Sequence, residues 1–185
     1  MGKGKITLMA ALPQLMTVEE FRRLPEGEPE YELHFGEVVA MTRPRPRHWL
    51  LQRRLVRLLE PRLKEFGEAG VEIPFRALPE FDLRAADVAV ISHARMAALD
   101  LDDDFRGAPD LVIEVKSPSN TERQLRELAA FCLTRGAMEF WIVDGERKSV
   151  TVFHRDGIPA VFNSGDNISL AAFGGGELPV DEIFA

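Results

Sequence analysis

Gly107-Ala-Pro-Asp-Leu-Val-Ile-Glu-Val-Lys-Ser-Pro-Ser-Asn120 is the stretch that decides the architecture. Leu111-Val112-Ile113 and Val115 are apolar and mostly β-branched, the composition of a strand covered on both faces. Glu114 and Lys116 stand at its far end, two residues apart, so their side chains share one face. Unpaired charges in a buried strand cost several kcal/mol, so this pair needs an explanation that surface charges do not. Ser119 or Asn120 can cap a following helix that runs to about Thr134 and closes at Gly136. Glu139-Phe-Trp-Ile-Val-Asp144 then reads as a second buried strand.

Upstream of this unit lie two extended segments, Val71 to Ala77 and Phe81 to Ser92, the second with Asp87 at its mouth. The loop after them holds Asp100, Asp102, Asp103 and Asp104. It lacks the glycine and terminal glutamate of an EF-hand and reads as a solvated loop. Further upstream, Thr17 to Glu20 forms a capping box for a short helix to about Leu24, stopped by Pro25 and Gly27. Tyr31 to Met41 reads as a hairpin hinged near Gly36. A longer helix follows Pro44 and Pro46, from about His48 to Phe66, with Pro61 kinking it or lying in its frayed end. Downstream, the turn at 145–148 leads to a strand from Ser149 to His154, and Asp156-Gly157 offers another turn. The stretch around Gly174 to Gly176 reads as loop, with Leu178 to Phe184 docked on the surface. The pattern predicts an α/β fold, a mixed sheet flanked by helices, as one domain over 1–185. Residues 1–16 are an N-terminal extension and 164–185 a C-terminal tail.

Composition narrows the partners. A net charge of -7 argues against coating nucleic acid or anionic membrane through bulk charge. That charge is uneven. Residues 41–64 carry eight basic residues against the single acid Glu60, +7 in all, leaving -14 elsewhere. Arg43, Arg45, Arg47, Arg53 and Arg54 in this stripe are candidates for gripping DNA phosphates. They serve equally as the solvated face of an amphipathic helix built on Leu50, Leu51, Leu55, Leu58, Leu59 and Leu63. No apolar run is long enough for a membrane span. The opening MGKGKITLMAALPQLM is broken by Pro13 and Gln14 and lacks a cleavage site, so no signal peptide is expected. The lone Cys132 excludes an internal disulfide framework and fits a cytoplasmic protein.

If the strands bearing Asp87 and Glu114 are neighbours, two carboxylates and an ammonium converge. Asp87, Glu114 and the Val115 carbonyl are hard oxygen ligands suited to Mg²⁺, with Mn²⁺ as a substitute. Such a cation polarises a phosphate and lowers the pKa of bound water, while Lys116 orients or deprotonates that water. Glu-x-Lys alone is weak. With 19 Glu and five Lys, roughly 0.5 copies arise by chance, and Glu146-Arg147-Lys148 is a copy in a polar turn. The alternative is an ion pair of Lys116 with Glu114 or Asp87 that serves the fold only.

GAPDLVIEVKSPSN, the following helix and EFWIVD, preceded by YELHFGEVVAM and PRPRHWLL, resemble the Uma family of bacterial proteins classed with restriction endonucleases. That family lies within the PD-(D/E)XK nuclease superfamily. The resemblance runs from about Thr17 to the closing LPVDEIFA. It implies a restriction-endonuclease-like core, a Mg²⁺-dependent DNA endonuclease with Asp87, Glu114 and Lys116 as its site, and a homodimer. Family members commonly place proline before the first acid, where this chain has Ala86. Asp110 does follow a proline but lies in the same strand as Glu114. Many relatives carry a substitute lysine on the next helix. Here that helix has none while the strand has Lys116, which favours Lys116 as catalytic. Glu37, His48 and Gln124 are secondary candidates, with Arg126 as a further helper. The rival is a non-catalytic member of the same fold that binds nucleic acid or protein.

Overall fold

A computed structural model describes residues 15–25, 30–41, 45–118, 120–155 and 157–185. In chain order it contains α1 (Val18–Phe21), the hairpin β1 (Tyr31–His34) and β2 (Glu37–Ala40), α2 (Pro46–Leu63), β3 (Gly67–Arg76), β4 (Arg84–Ser92) and α3 (His93–Met96). β5 (Phe105–Arg106), β6 (Leu111–Val115), α4 (Glu122–Thr134), β7 (Glu139–Asp144), β8 (Ser149–His154) and β9 (Ala160–Phe162) follow. β10 (Asn167–Ser169), β11 (Glu177–Pro179) and α5 (Val180–Phe184) complete the chain.

Seven strands make the central sheet in the order β5-β3-β4-β6-β7-β8-β9. β6 and β7 run parallel and are joined by α4, whereas β4 pairs antiparallel with β6. This is the expected mixed sheet. Alternation along β6 assigns its two faces. Leu111, Ile113 and Val115 pack with Leu51, Leu55, Leu59 and Leu63 of α2. Val112 packs with Ala129, Cys132 and Leu133 of α4. One helix therefore covers each face, and Glu114 shares the α4 side with Val112. The hairpin turns through Phe35 and Gly36, both with positive φ (52° and 82°), the pairing that a two-residue type I′ turn requires.

Several boundaries differ from the sequence reading. α2 begins at Pro46, whose missing N–H costs nothing in a first turn, and Pro61 is absorbed near its end. The cap of α4 is Thr121, in a reciprocal capping box with Gln124. Asn120 instead accepts hydrogen bonds from the N–H (2.9 Å) and hydroxyl (2.6 Å) of Ser117. Ser119, Gly27 and the turn residue Asp156 lie outside the described residues, as do residues 1–14 of the extension. The tail does not sit on the surface. Ile168, Leu170, Phe173, Leu178, Val180 and Ile183 are buried in the same cluster as α2, because the sheet leaves apolar area beside that helix uncovered.

Glu139 shows how the core treats an acid. Only 3% exposed, it accepts a hydrogen bond from the Trp141 indole at 2.8 Å, with His154 at 3.4 Å. Burial pushes its carboxyl up, opposed by Trp141 and His154. The folded state therefore holds this proton more tightly than the unfolded chain does. Its favourable contribution is present at low pH and is lost as pH rises through the folded pKa. Glu139→Gln should gain stability relative to wild type as pH rises above the ordinary carboxylate range. Thermal unfolding across that rise reads this out, and parallel curves would contradict it.

Candidate active site

The ladder between β4 and β6 runs from Val90–Leu111 to Val88–Ile113 and stops there. Asp87 and Glu114 are the next residues on each strand, at the point where the pairing ends. A backbone N–H left by parting strands needs an acceptor, and Asp87 supplies one. Its Oδ2 accepts from the Val115 N–H at 2.7 Å. Its Oδ1 accepts from the Gln52 amide at 2.9 Å and lies 2.8 Å from His48 Nε2. Burial alone would lower the His48 pKa, but the bond to Asp87 and its charge raise it overall. Three donors thus hold the expected acid in place.

The same Gln52 nitrogen donates to Glu72 Oε1 at 2.6 Å. Gln52 is 1% exposed, so it is a buried amide shared between two acids. Glu72 falls opposite Asp87 in the β3–β4 register, between the pairs Val71–Val88 and Ile73–Ala86. Its φ of 51° is left-handed, a conformation costly for any residue with a Cβ. Burial and the charge of Asp87 push its carboxyl up. Glu72→Gly should resist urea better than Glu72→Ala by about 1 kcal/mol, because both lose the carboxylate but only glycine relaxes the backbone. If alanine proves equally stable, the left-handed turn is not carrying that cost.

Glu114 is held well above the usual carboxylate range, chiefly by burial and then by the charges of Asp87, Glu32 and Glu72, with Arg84 opposing. Glu32 comes from β1, where it accepts from the Ala85 N–H at 2.9 Å and pairs with His34 at 2.6 Å. Four carboxylates therefore act on one another at this end of the sheet. Lys116 pairs with neither Glu114 nor Asp87. Its ammonium donates to Asp144 Oδ2 at 3.0 Å, on the parallel neighbour β7, with Glu122 at 3.9 Å. Asp144 is buried, which opposes ionisation, but hydrogen bonds from Arg147, Lys116 and Glu146 hold its carboxyl low.

The other candidates are dispersed. Glu37 is exposed on β2, and the acid that the hairpin brings to the site is Glu32 instead. Gln124 is occupied in capping α4, and Arg126 lies over Phe153. Asp110 is at the opposite end of β6, bonded to the Ser92 N–H and paired with Arg95, which removes it as a rival to Asp87. Arg45, at the N-cap of α2, and Arg47 and Arg53 on it are exposed, and Arg43 lies outside the described residues. Arg54 turns to the tail, where its guanidinium donates to the Ile183 carbonyl at 3.3 Å. Cys132 is a buried core thiol with its pKa pushed far up by burial.

The donor set fits a hard divalent cation in kind. Mutually repelling carboxylates, two of them with pKa values pushed up by burial and by one another, are what such an ion relieves. Among the described residues no three His, Cys, Asp or Glu side chains already stand as a metal cluster, and the Asp87 oxygens face His48, Gln52 and Val115. Asp87, Glu114 and the Val115 carbonyl would hold the ion once those donors yield.

Similar proteins bear on this arrangement. Residues 18–181 match the family Uma2, described as "Putative restriction endonuclease". Among solved structures, a putative nuclease from Anabaena variabilis is similar at 22% identity and a TM-score of 0.79. The match covers 91% of this chain and 97% of that one, and shows a common fold. No curated protein matches. No helix among the described residues is long and apolar enough to cross a membrane. A match over nearly the whole chain, on the fold expected from the Glu114 strand, makes this protein a member of the Uma2 family, "Putative restriction endonuclease".

Proposed function

We propose that the protein is a Mg²⁺-dependent DNA endonuclease, with Mn²⁺ as a substitute, whose site is Asp87, Glu114 and Lys116. The observation that carries this reading is the meeting of Asp87 and Glu114 where β4 and β6 part, with their charges in conflict. When bound, the cation supplies Lewis-acid polarisation of the phosphate and a more acidic water. Asp87, Glu114 and the Val115 carbonyl hold it. Asp144 fixes Lys116 by its 3.0 Å bond, so the ammonium is oriented before a phosphate arrives. From there it offsets charge that builds on the phosphate. Arg45, Arg47 and Arg53, with Arg43 before them, lie on or beside the helix that carries His48 and contact the DNA backbone. Two copies related by a two-fold axis would cut both strands of a duplex.

The test is nicking of supercoiled plasmid with Mg²⁺. Lys116→Ala should cut about 10²- to 10³-fold more slowly. Equal background cutting by both proteins would sink the proposal. A non-catalytic DNA-binding member of the fold is the second reading, favoured by the full occupation of the Asp87 oxygens. It predicts DNA binding without any Mg²⁺-dependent nicking.

A further inference from the structure

Arg45, the N-cap of α2, and Trp49, Arg53 and Arg57 on it stand at four-residue intervals, about 6 Å apart along the axis, and form one exposed row. Trp49 is 53% exposed and its neighbour Leu50 is 56% exposed, whereas the other tryptophan, Trp141, is fully buried. A half-exposed indole on a helix whose other face supplies four core leucines has found no place in the core. Among the described residues none of Arg45, Arg53 or Arg57 takes an acidic partner, and neither does Arg47 beside them. Elsewhere Arg22, Arg62, Arg76, Arg84 and Arg106 are all ion-paired. Among the described residues Arg23, Arg126, Arg135 and Arg155 also take no acidic partner but lie on other elements, whereas Arg45, Arg47, Arg53 and Arg57 gather in one stretch around the exposed Trp49. The residue before Trp49, His48, is 2.8 Å from Asp87.

We infer that this row binds a single strand, with Trp49 stacked on an unpaired base and the arginines on the flanking phosphates. Cations alternating with an aromatic platform are the pattern that recognises single-stranded nucleic acid. A paired base has both faces covered by its neighbours, so an indole can stack only on a base that is single-stranded or locally unpaired. A base held by Trp49 brings its adjoining phosphate to the His48–Asp87 end of the helix. The substrate class is thus DNA with unpaired nucleotides at the cutting point. This rests on the nuclease reading for its consequence, but not for its test.

Binding is followed by the fluorescence anisotropy of dye-labelled oligonucleotides, and in the wild type also by tryptophan emission, with no divalent metal present, so no strand is cut. Single-stranded oligo-dT should quench the Trp49 emission and bind more tightly than a duplex of equal length. Trp49→Ala should weaken oligo-dT binding roughly tenfold and change duplex binding little, and Trp49→Phe should restore most of the loss. Arg53→Ala with Arg57→Ala should flatten the salt dependence by about two counterions. The exposed position keeps the Trp49 variants folded, and the buried Trp141 emission reports that. Equal affinity for single strand and duplex, unaffected by Trp49→Ala, overturns the inference. So does a dimer in sedimentation that Trp49→Ala dissociates, because the indole would then belong to a protein interface. A protein that never nicks plasmid but shows the Trp49 response loses the nuclease reading and keeps this one.

Discussion

Glu114→Gln is expected to abolish Mg²⁺-dependent nicking and, at the same time, to make the metal-free protein harder to unfold. Both effects follow from one placement. Folding puts the Glu114 carboxylate into a desolvated position beside Asp87, with Glu32 and Glu72 adding to the repulsion. Its proton is consequently bound more tightly in the folded chain, so stability from this group is present at low pH and lost as pH rises through the folded pKa. A neutral amide of the same shape removes that cost at neutral pH, a gain of about 1 kcal/mol in urea unfolding. Asp87→Asn should also stop cutting but move stability the other way. Asp87 accepts from Val115 and Gln52 and faces His48, and weakening those bonds costs about 1–3 kcal/mol. Two acids required for one reaction thus differ in the sign of their stability effect. Loss of stability in Glu114→Gln would mean that the carboxylate serves the fold, as an ion-paired core would require.

Leu59→Ala should produce the largest loss of stability. Leu59 is completely buried on α2 and shares its cluster with Val88, Val90, Leu111 and Trp141. Truncation removes the transfer free energy of the side chain and leaves a cavity, together about 2–5 kcal/mol. In a chain of this size that corresponds to a fall in melting temperature of about 10 °C. Below the transition the variant should still bind and cut, because the chemistry sits at the other end of the helix, around His48 and Gln52. A fall under about 1 kcal/mol would mean that α2 is not the lid of this core.

The residues that spoke most clearly in the sequence were those whose role is set by local rules. The apolar run at 111–115 fixed a central strand, the period-two spacing put Glu114 and Lys116 together, and Gly36 marked the hairpin. The tail was harder to read, since β10 and β11 are three residues each and alternate too briefly to declare themselves. Gln52 was within reach, because it stands four residues after His48 and so shares its helix face. Glu72 was not. Nothing in Val71-Glu72-Ile73 announces a left-handed residue in the middle of a strand paired on both sides of it. Asp144 lay in plain view at the end of β7, but its partnership with Lys116 depends on the parallel register of two strands.

Asp87 and Glu114 are proposed to form a divalent-metal site. Calorimetric titration of Mn²⁺ into the wild-type protein and into Glu114→Gln tests it without DNA and without turnover. Saturable binding by wild type that disappears in Glu114→Gln is the predicted result. Identical heats for the two proteins, whether binding or none, would contradict it.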